Sequence, residues 1–99
     1  MTSEATGEND PEHGLYGITV AADLVGMGVQ NLRLYEARGL LRPSRTAGGT
    51  RRYSDNDLVR LRRIGQLLDE GLNLAGIEKV LGLETKVRKL ESAARRRPR

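Results

Sequence analysis

A chain of 99 residues has room for one small hydrophobic core plus tails, and with no cysteine it can form neither disulfides nor thiolate metal sites. The formal net charge of +4 hides a division: residues 1–14 carry Glu4, Glu8, Asp10 and Glu12 but no Lys or Arg, so 17 basic side chains meet only nine acids in the remainder. Fourteen of the 17 are Arg, whose planar fork suits phosphate and guanine, so the balance favours a polyanionic partner.

Residues 1–14 are polar and acidic and read as a disordered leader, residues 15–82 as one folded domain, and residues 83–99 as a short helical, basic tail. Ile18, Val20, Ala21, Leu24 and Val25 place apolar groups on one side of a short helix with Thr19 as its N-cap, ended by Gly26. Gly26, Met27 and Gly28 make a tight connection to a second helix, Val29 to Ala37, with Val29, Leu32 and part of Tyr35 inward and Gly39 as a left-handed cap. Two short helices joined in this way form a helix-turn-helix. Leu40 to Arg42 is expected to be a strand, Pro43 to Gly49 a turn using positive angles at Gly48 and Gly49, and Thr50 to Tyr53 the return strand. That hairpin would be a wing.

Ser54 and Asp57 form a capping box ahead of Leu58, Leu61, Ile64 and Leu68, and this helix stops at Gly71. Asn73 caps a further helix in which Leu74, Ile77, Val80 and Leu81 face inward, and Gly82 ends or bends it. Leu83, Val87, Leu90 and Ala94 then repeat at alternating steps of four and three, a two-heptad seam that Glu84 with Arg88 and Glu91 with Arg95 would support. The same tail also reads as a solvated helix with a basic end, because so short a helix is marginal by itself.

The segment from Asn31 to Tyr53, NLRLYEARGLLRPSRTAGGTRRY, concentrates the chemistry. Gln30, Asn31 and Arg33 lie near the start of the second helix, where Asn or Gln pairs with adenine edges and Arg with guanine. Arg38, Arg42, Arg45, Arg51 and Arg52 meet no acid between residues 38 and 52, and phosphate would relieve their mutual repulsion. The competing reading makes Arg33, Tyr35 and Arg38 a solvated helix edge and the wing charges a guard against edge pairing. Arg60, Arg62 and Arg63 read first as a solvated helix face, with Arg60 or Arg63 within reach of a DNA backbone.

Over residues 16–82 the chain resembles the MerR family of bacterial transcription regulators: Arg33, Tyr35, Glu36, Gly39 and Leu40 match that family's second helix, and the wing follows in its expected place. The resemblance implies a mostly α, winged helix-turn-helix fold in which Arg33 reads bases or backbone and Tyr35 touches phosphate. It also implies that Arg45, Arg51 and Arg52, with Tyr53, grip the backbone. Asn31 stands where many members carry Thr and Leu34 where many carry a first Tyr, so the bases read are not carried over. Within the family, EGLNLAGIEKVLGLE (residues 70–84), GITVAADLVGM and RTAGGTRRYS look most like the heat-shock repressors of the HspR type. Those repress chaperone operons with the chaperone DnaK as co-repressor.

The resulting expectation is a regulator, most simply a repressor, that binds specific double-stranded DNA in the cytoplasm, at the nucleoid, without membrane or cofactor. The C-terminus is expected to be shortened relative to HspR, without a sensor domain. A homodimer through Leu83, Val87, Leu90 and Ala94 and a cooperative DNA-bound array both remain open, as do two rival functions. One is an architectural, excisionase-like protein acting on direct repeats; the other is a partner that antagonises a longer paralogue. Catalysis finds no support: His13 is the only histidine and lies in the leader, Gly48-Gly49 lacks the Lys-Ser/Thr of a phosphate loop, and the paired acids suit helix ends.

Overall fold

The computed structural model describes residues 13–96, so the leader up to Glu12 and the basic end from Arg97 lie outside the described residues. In chain order the elements are β1 (Gly14–Tyr16), α1 (Ile18–Val25), α2 (Val29–Ala37), β2 (Ser44–Arg45), β3 (Arg51–Ser54), α3 (Asp55–Asp69) and α4 (Leu74–Arg96). They fall into two compact units, the first running to Gly65 and the second starting at Gln66.

In the first unit, α1 begins two residues earlier than its sequence suggests. Gly17, in extended backbone, is the N-cap and its carbonyl accepts the Ala21 N–H at 2.9 Å, whereas Thr19 lies inside the helix. Strand β1 holds the chain up to Tyr16, so the helix starts as soon as that pairing ends. Its inward face is also smaller than expected: Ala21 and Ala22 are buried while Val20 and Leu24 are about half exposed. Short side chains at a contact let two helix backbones approach closely, and larger ones are left outside.

Gly26 closes α1 in the left-handed conformation (φ 69°), and Gly39 does the same after α2 (φ 78°). At the second cap Leu40 N–H donates to the Tyr35 carbonyl at 2.8 Å and Gly39 N–H to the Glu36 carbonyl at 2.9 Å. These are the paired bonds of a Schellman end, and they use carbonyls the helix itself leaves open.

The first strand of the hairpin starts at Ser44 rather than Leu40, whereas the return strand, Arg51–Ser54, lies one residue from its expected place. Leu40 and Leu41 form no strand; both are buried, and successive residues of a strand would face opposite sides. Arg60 Nε donates to the Leu40 carbonyl, so this irregular segment keeps a hydrogen bond that a strand would have supplied. Strands β2 and β3 pair antiparallel with Ser44 opposite Arg52 and Arg45 opposite Arg51. In the turn between them Gly49 has φ 90°, and Gly48 does not need a positive angle.

β1 was not visible in the sequence, where Gly14 falls in the leader. It adds to the other edge of β3, giving the order β1-β3-β2, with Gly14 opposite Ser54. A Cβ at Gly14 would stand 2.6 Å from Ser44 Oγ and 2.8 Å from Arg52 Cβ, so only glycine fits beneath the wing.

The capping box forms as expected: Ser54 N–H donates to Asp57 Oδ2 at 2.8 Å and Asp57 N–H to Ser54 Oγ at 3.0 Å. Leu58, Leu61 and Ile64 are buried along α3. In the second unit Leu67 is buried and Leu68 is on the outside; both follow Ile64 at helical spacing, and spacing alone does not choose between them.

Asn73 caps α4, its Oδ1 accepting the Gly76 N–H at 2.8 Å. Ile77 and Leu81 are buried, and Leu74 and Val80 are intermediate. Gly82 neither ends nor divides the helix, which continues for 23 residues to Arg96. A mid-helix glycine costs about 1 kcal/mol but removes no backbone hydrogen bond. Leu83, Val87 and Leu90 are all more than half exposed, and Ala94 is exposed with them.

Candidate nucleic-acid interface

Three- and four-residue steps divide α2 into two faces. Leu32 and Tyr35 point into the core, while Gln30, Asn31, Arg33, Leu34, Ala37 and Arg38 are exposed. The outward face therefore carries amides, cations and the apolar Leu34 and Ala37, and no acid. The helix's single carboxylate, Glu36, is turned toward the wing.

Glu36 joins the two halves of the site. Its Oε2 accepts from Arg45 Nη2 at 2.9 Å and its Oε1 from Arg51 Nε, while Arg45 Nη1 also donates to the Gly49 carbonyl at 3.0 Å. The sequence has no acid between residues 38 and 52, yet folding supplies one from the preceding helix. Burial alone would push the Glu36 carboxyl up; its hydrogen bonds to Arg51 and Arg45 outweigh that and hold it below the ordinary carboxylate value. Arg45 and Arg51 thus tie the hairpin to α2, and the Arg45 side chain stays exposed while doing so. Neither ion pair involves Arg33, Arg38 or Arg52, whose side chains are exposed. These three have the access and the unneutralised charge that a phosphate contact requires.

Two residues expected at the backbone are in the core instead. Tyr35 is 4% exposed and Tyr53 is fully buried, with a hydroxyl that has no hydrogen-bond partner. Burial pushes both phenols above their ordinary value. A phosphate oxygen cannot reach the buried Tyr53 hydroxyl, so the contact proposed for Tyr53 gives way to a packing role, whereas Tyr35 buries its ring while its hydroxyl is not among the buried unpartnered atoms. Both aromatic rings supply large apolar areas that a small core needs more than the surface does. Tyr53→Phe should leave DNA affinity unchanged and stabilise the fold by about 1 kcal/mol, since it removes an unpaired buried hydroxyl. A thermal melt beside a duplex titration reads both; a drop in affinity at unchanged stability would return Tyr53 to the interface.

Arg60 supports the Leu40 carbonyl and Arg62 Nη2 lies 3.5 Å from the Leu24 carbonyl, so these α3 arginines brace the helix-turn-helix. The sequence reading passed over Tyr16, whose hydroxyl donates to Asp55 Oδ1 at 2.9 Å and links β1 to the start of α3. No spacing rule joins residues 39 apart. Among the described residues no cluster of His, Cys, Asp or Glu is arranged to hold a metal ion, and no helix is long and apolar enough to cross a membrane.

The arrangement has counterparts among known proteins. The family described as MerR HTH family regulatory protein matches residues 16–83. Over 81 residues the chain is 49% identical to the heat shock protein HspR of Streptomyces coelicolor, covering 81% of this chain and 54% of that protein. It is 43% identical over 67 residues to the transcriptional regulator GlnR of Bacillus anthracis, covering 68% and 52%. The chain thus spans about half the length of these relatives. Among solved structures it superposes on HiNmlR, a MerR family regulator lacking the sensor domain and bound to promoter DNA, with TM-score 0.62, 28% identity and coverage of 81% and 67%. It also superposes on the N-terminal part of the Bacillus subtilis multidrug transporter activator MtaN, with TM-score 0.65, 28% identity and coverage of 83% and 87%. With a family match over most of its length and a fold shared with two of its solved members, the chain belongs to the MerR family of helix-turn-helix regulatory proteins.

Proposed function

We propose that this chain is a sequence-specific, double-stranded-DNA-binding regulator of transcription, a repressor of the HspR type with no enzymatic activity of its own. The acid-free outward face of α2, set beside a hairpin that leaves Arg52 exposed, carries this reading. In use, α2 enters the major groove with Gln30, Asn31 and Arg33 toward base edges, while Arg38 and Arg52 meet phosphates on either side. Arg45 and Arg51 act through Glu36, by fixing the distance between wing and helix.

The seam Leu83, Val87, Leu90 and Ala94 is the proposed contact with a second copy, because it is a continuous exposed apolar stripe on one helix. Such a pair would cover two half-sites about one helical turn apart. An array on direct repeats is the competing assembly, and sedimentation of the free protein separates a stable dimer from a monomer that associates only on DNA. On the resemblance to HspR, a DnaK-type chaperone is the proposed co-repressor, acting in the cytoplasm at the nucleoid.

Selection of bound duplexes from a random pool, followed by titration of the selected and a scrambled duplex, tests the function directly. Log affinity should fall with log salt by roughly 0.9 per phosphate neutralised, and Arg52→Ala should flatten that slope by about one unit on both duplexes. An unchanged slope removes Arg52 from the phosphate contacts; indifference to sequence removes specificity from the proposal.

A further inference from the structure

The centre of the outward face of α2 is an apolar side chain. Leu34 is 43% exposed, and its helical neighbours on that face are Gln30 four residues before, Asn31 three before, Ala37 three after and Arg38 four after, all exposed. Arg33 stands at the flank. Leu34 leaves apolar area in water at the middle of a polar, cationic face, so an occupant that covers it gains the free energy of its burial. The only acid of the helix, Glu36, is engaged by Arg45 and Arg51, so the rim around Leu34 presents cations and amides without a neutralising charge.

An occupant that suits this surface is negative at its borders and apolar at its middle. The major groove of duplex DNA has that form: phosphates line its rims, and the C5-methyl groups of thymines project from its floor. We infer that Leu34 is a base-reading residue, packing its isobutyl group against one or two thymine methyl groups in each half-site, with Ala37 extending the same apolar strip. Adenine-directed hydrogen bonds from Gln30 or Asn31 fit beside it, because the same A·T pair presents the adenine amide-binding edge and the thymine methyl in one groove. The inference rests on the placement of α2 in the major groove and adds the identity of a base feature that α2 recognises.

Uracil isolates that feature, since it pairs as thymine does and lacks only the methyl group. In the duplex selected by the wild-type protein, thymines are replaced by uracil one position at a time and affinities are measured for wild type, Leu34→Ala and Leu34→Met. Wild type should lose about fourfold at one or two positions per half-site, the equivalent of ~0.8 kcal/mol for one buried methyl group. Leu34→Ala should be indifferent to uracil at those positions, and Leu34→Met should retain part of the sensitivity. A wild-type protein that binds the selected duplex but ignores every uracil overturns the inference and leaves the proposed function standing. So does a uracil penalty of equal size in Leu34→Ala. A change in sedimentation on Leu34→Ala without any uracil effect would also overturn it, and would give the face to a protein partner. Failure of the wild type to bind any duplex overturns both readings.

Discussion

Arg33→Ala should weaken binding to the selected duplex by about 1 to 3 kcal/mol, roughly five- to 150-fold, while leaving binding to scrambled DNA nearly unchanged. The side chain is exposed on the first half of α2, where a helix-turn-helix brings residues to base edges, and it takes no part in the ion pairs that hold the wing. A guanidinium bidentate to guanine contributes only where guanine is present, so the ratio of the two affinities is the quantity to measure. Equal losses on both duplexes would make Arg33 a phosphate ligand, and base reading would pass to Gln30, Asn31 and Leu34. A circular-dichroism spectrum of the variant keeps the comparison tied to an intact helix.

Leu61→Ala should destabilise the fold by about 2 to 5 kcal/mol, the usual cost of a buried leucine and the cavity it leaves. Leu61 has no exposed surface, and a domain of this size has only about 5 to 15 kcal/mol to lose. The thermal midpoint should fall by roughly 8 °C or more, and apparent affinity for any duplex should fall with the folded fraction. Leu68→Ala, on the outer side of the same helix, should cost under about 1 kcal/mol. If the two variants melted alike, the inward face assigned to α3 would be wrong. Leu67→Ala belongs with Leu61→Ala in this comparison, because each of the two residues is buried.

Local chemistry was legible from residue types alone wherever a few neighbours decide the backbone. The capping box at Ser54 and Asp57, the cap at Asn73, the helix end at Gly26 and the left-handed closure at Gly39 each depend on atoms within about one helical turn, and all four form. The bounds of α2 follow from the same signals, and so does the outward placement of Gln30, Asn31 and Arg33, which helical spacing sets once Leu32 is buried.

What pattern could not supply is pairing between distant segments. β1 is a strand only because β3 lies beside it, since three residues are too few for an alternation. Leu40 and Leu41 look like the start of a hairpin until the core takes both, after which pairing begins at Ser44. Tyr53 reads as a surface aromatic among arginines, but the sheet turns it inward. Glu36 matches a family position in the sequence, yet its attachment to Arg45 and Arg51 spans nine and 15 residues.

The chain's residues by themselves thus determined a helix-turn-helix, its basic character and the exposure of Gln30, Asn31 and Arg33 on its second helix, because these depend on periodicity, capping and charge within short windows. Only the tertiary structure decided which arginines pair with Glu36. An ion pair is a relation between positions that folding brings together, and of the five cations between residues 38 and 52 Glu36 engages Arg45 and Arg51 and leaves Arg38, Arg42 and Arg52 outside its ion pairs.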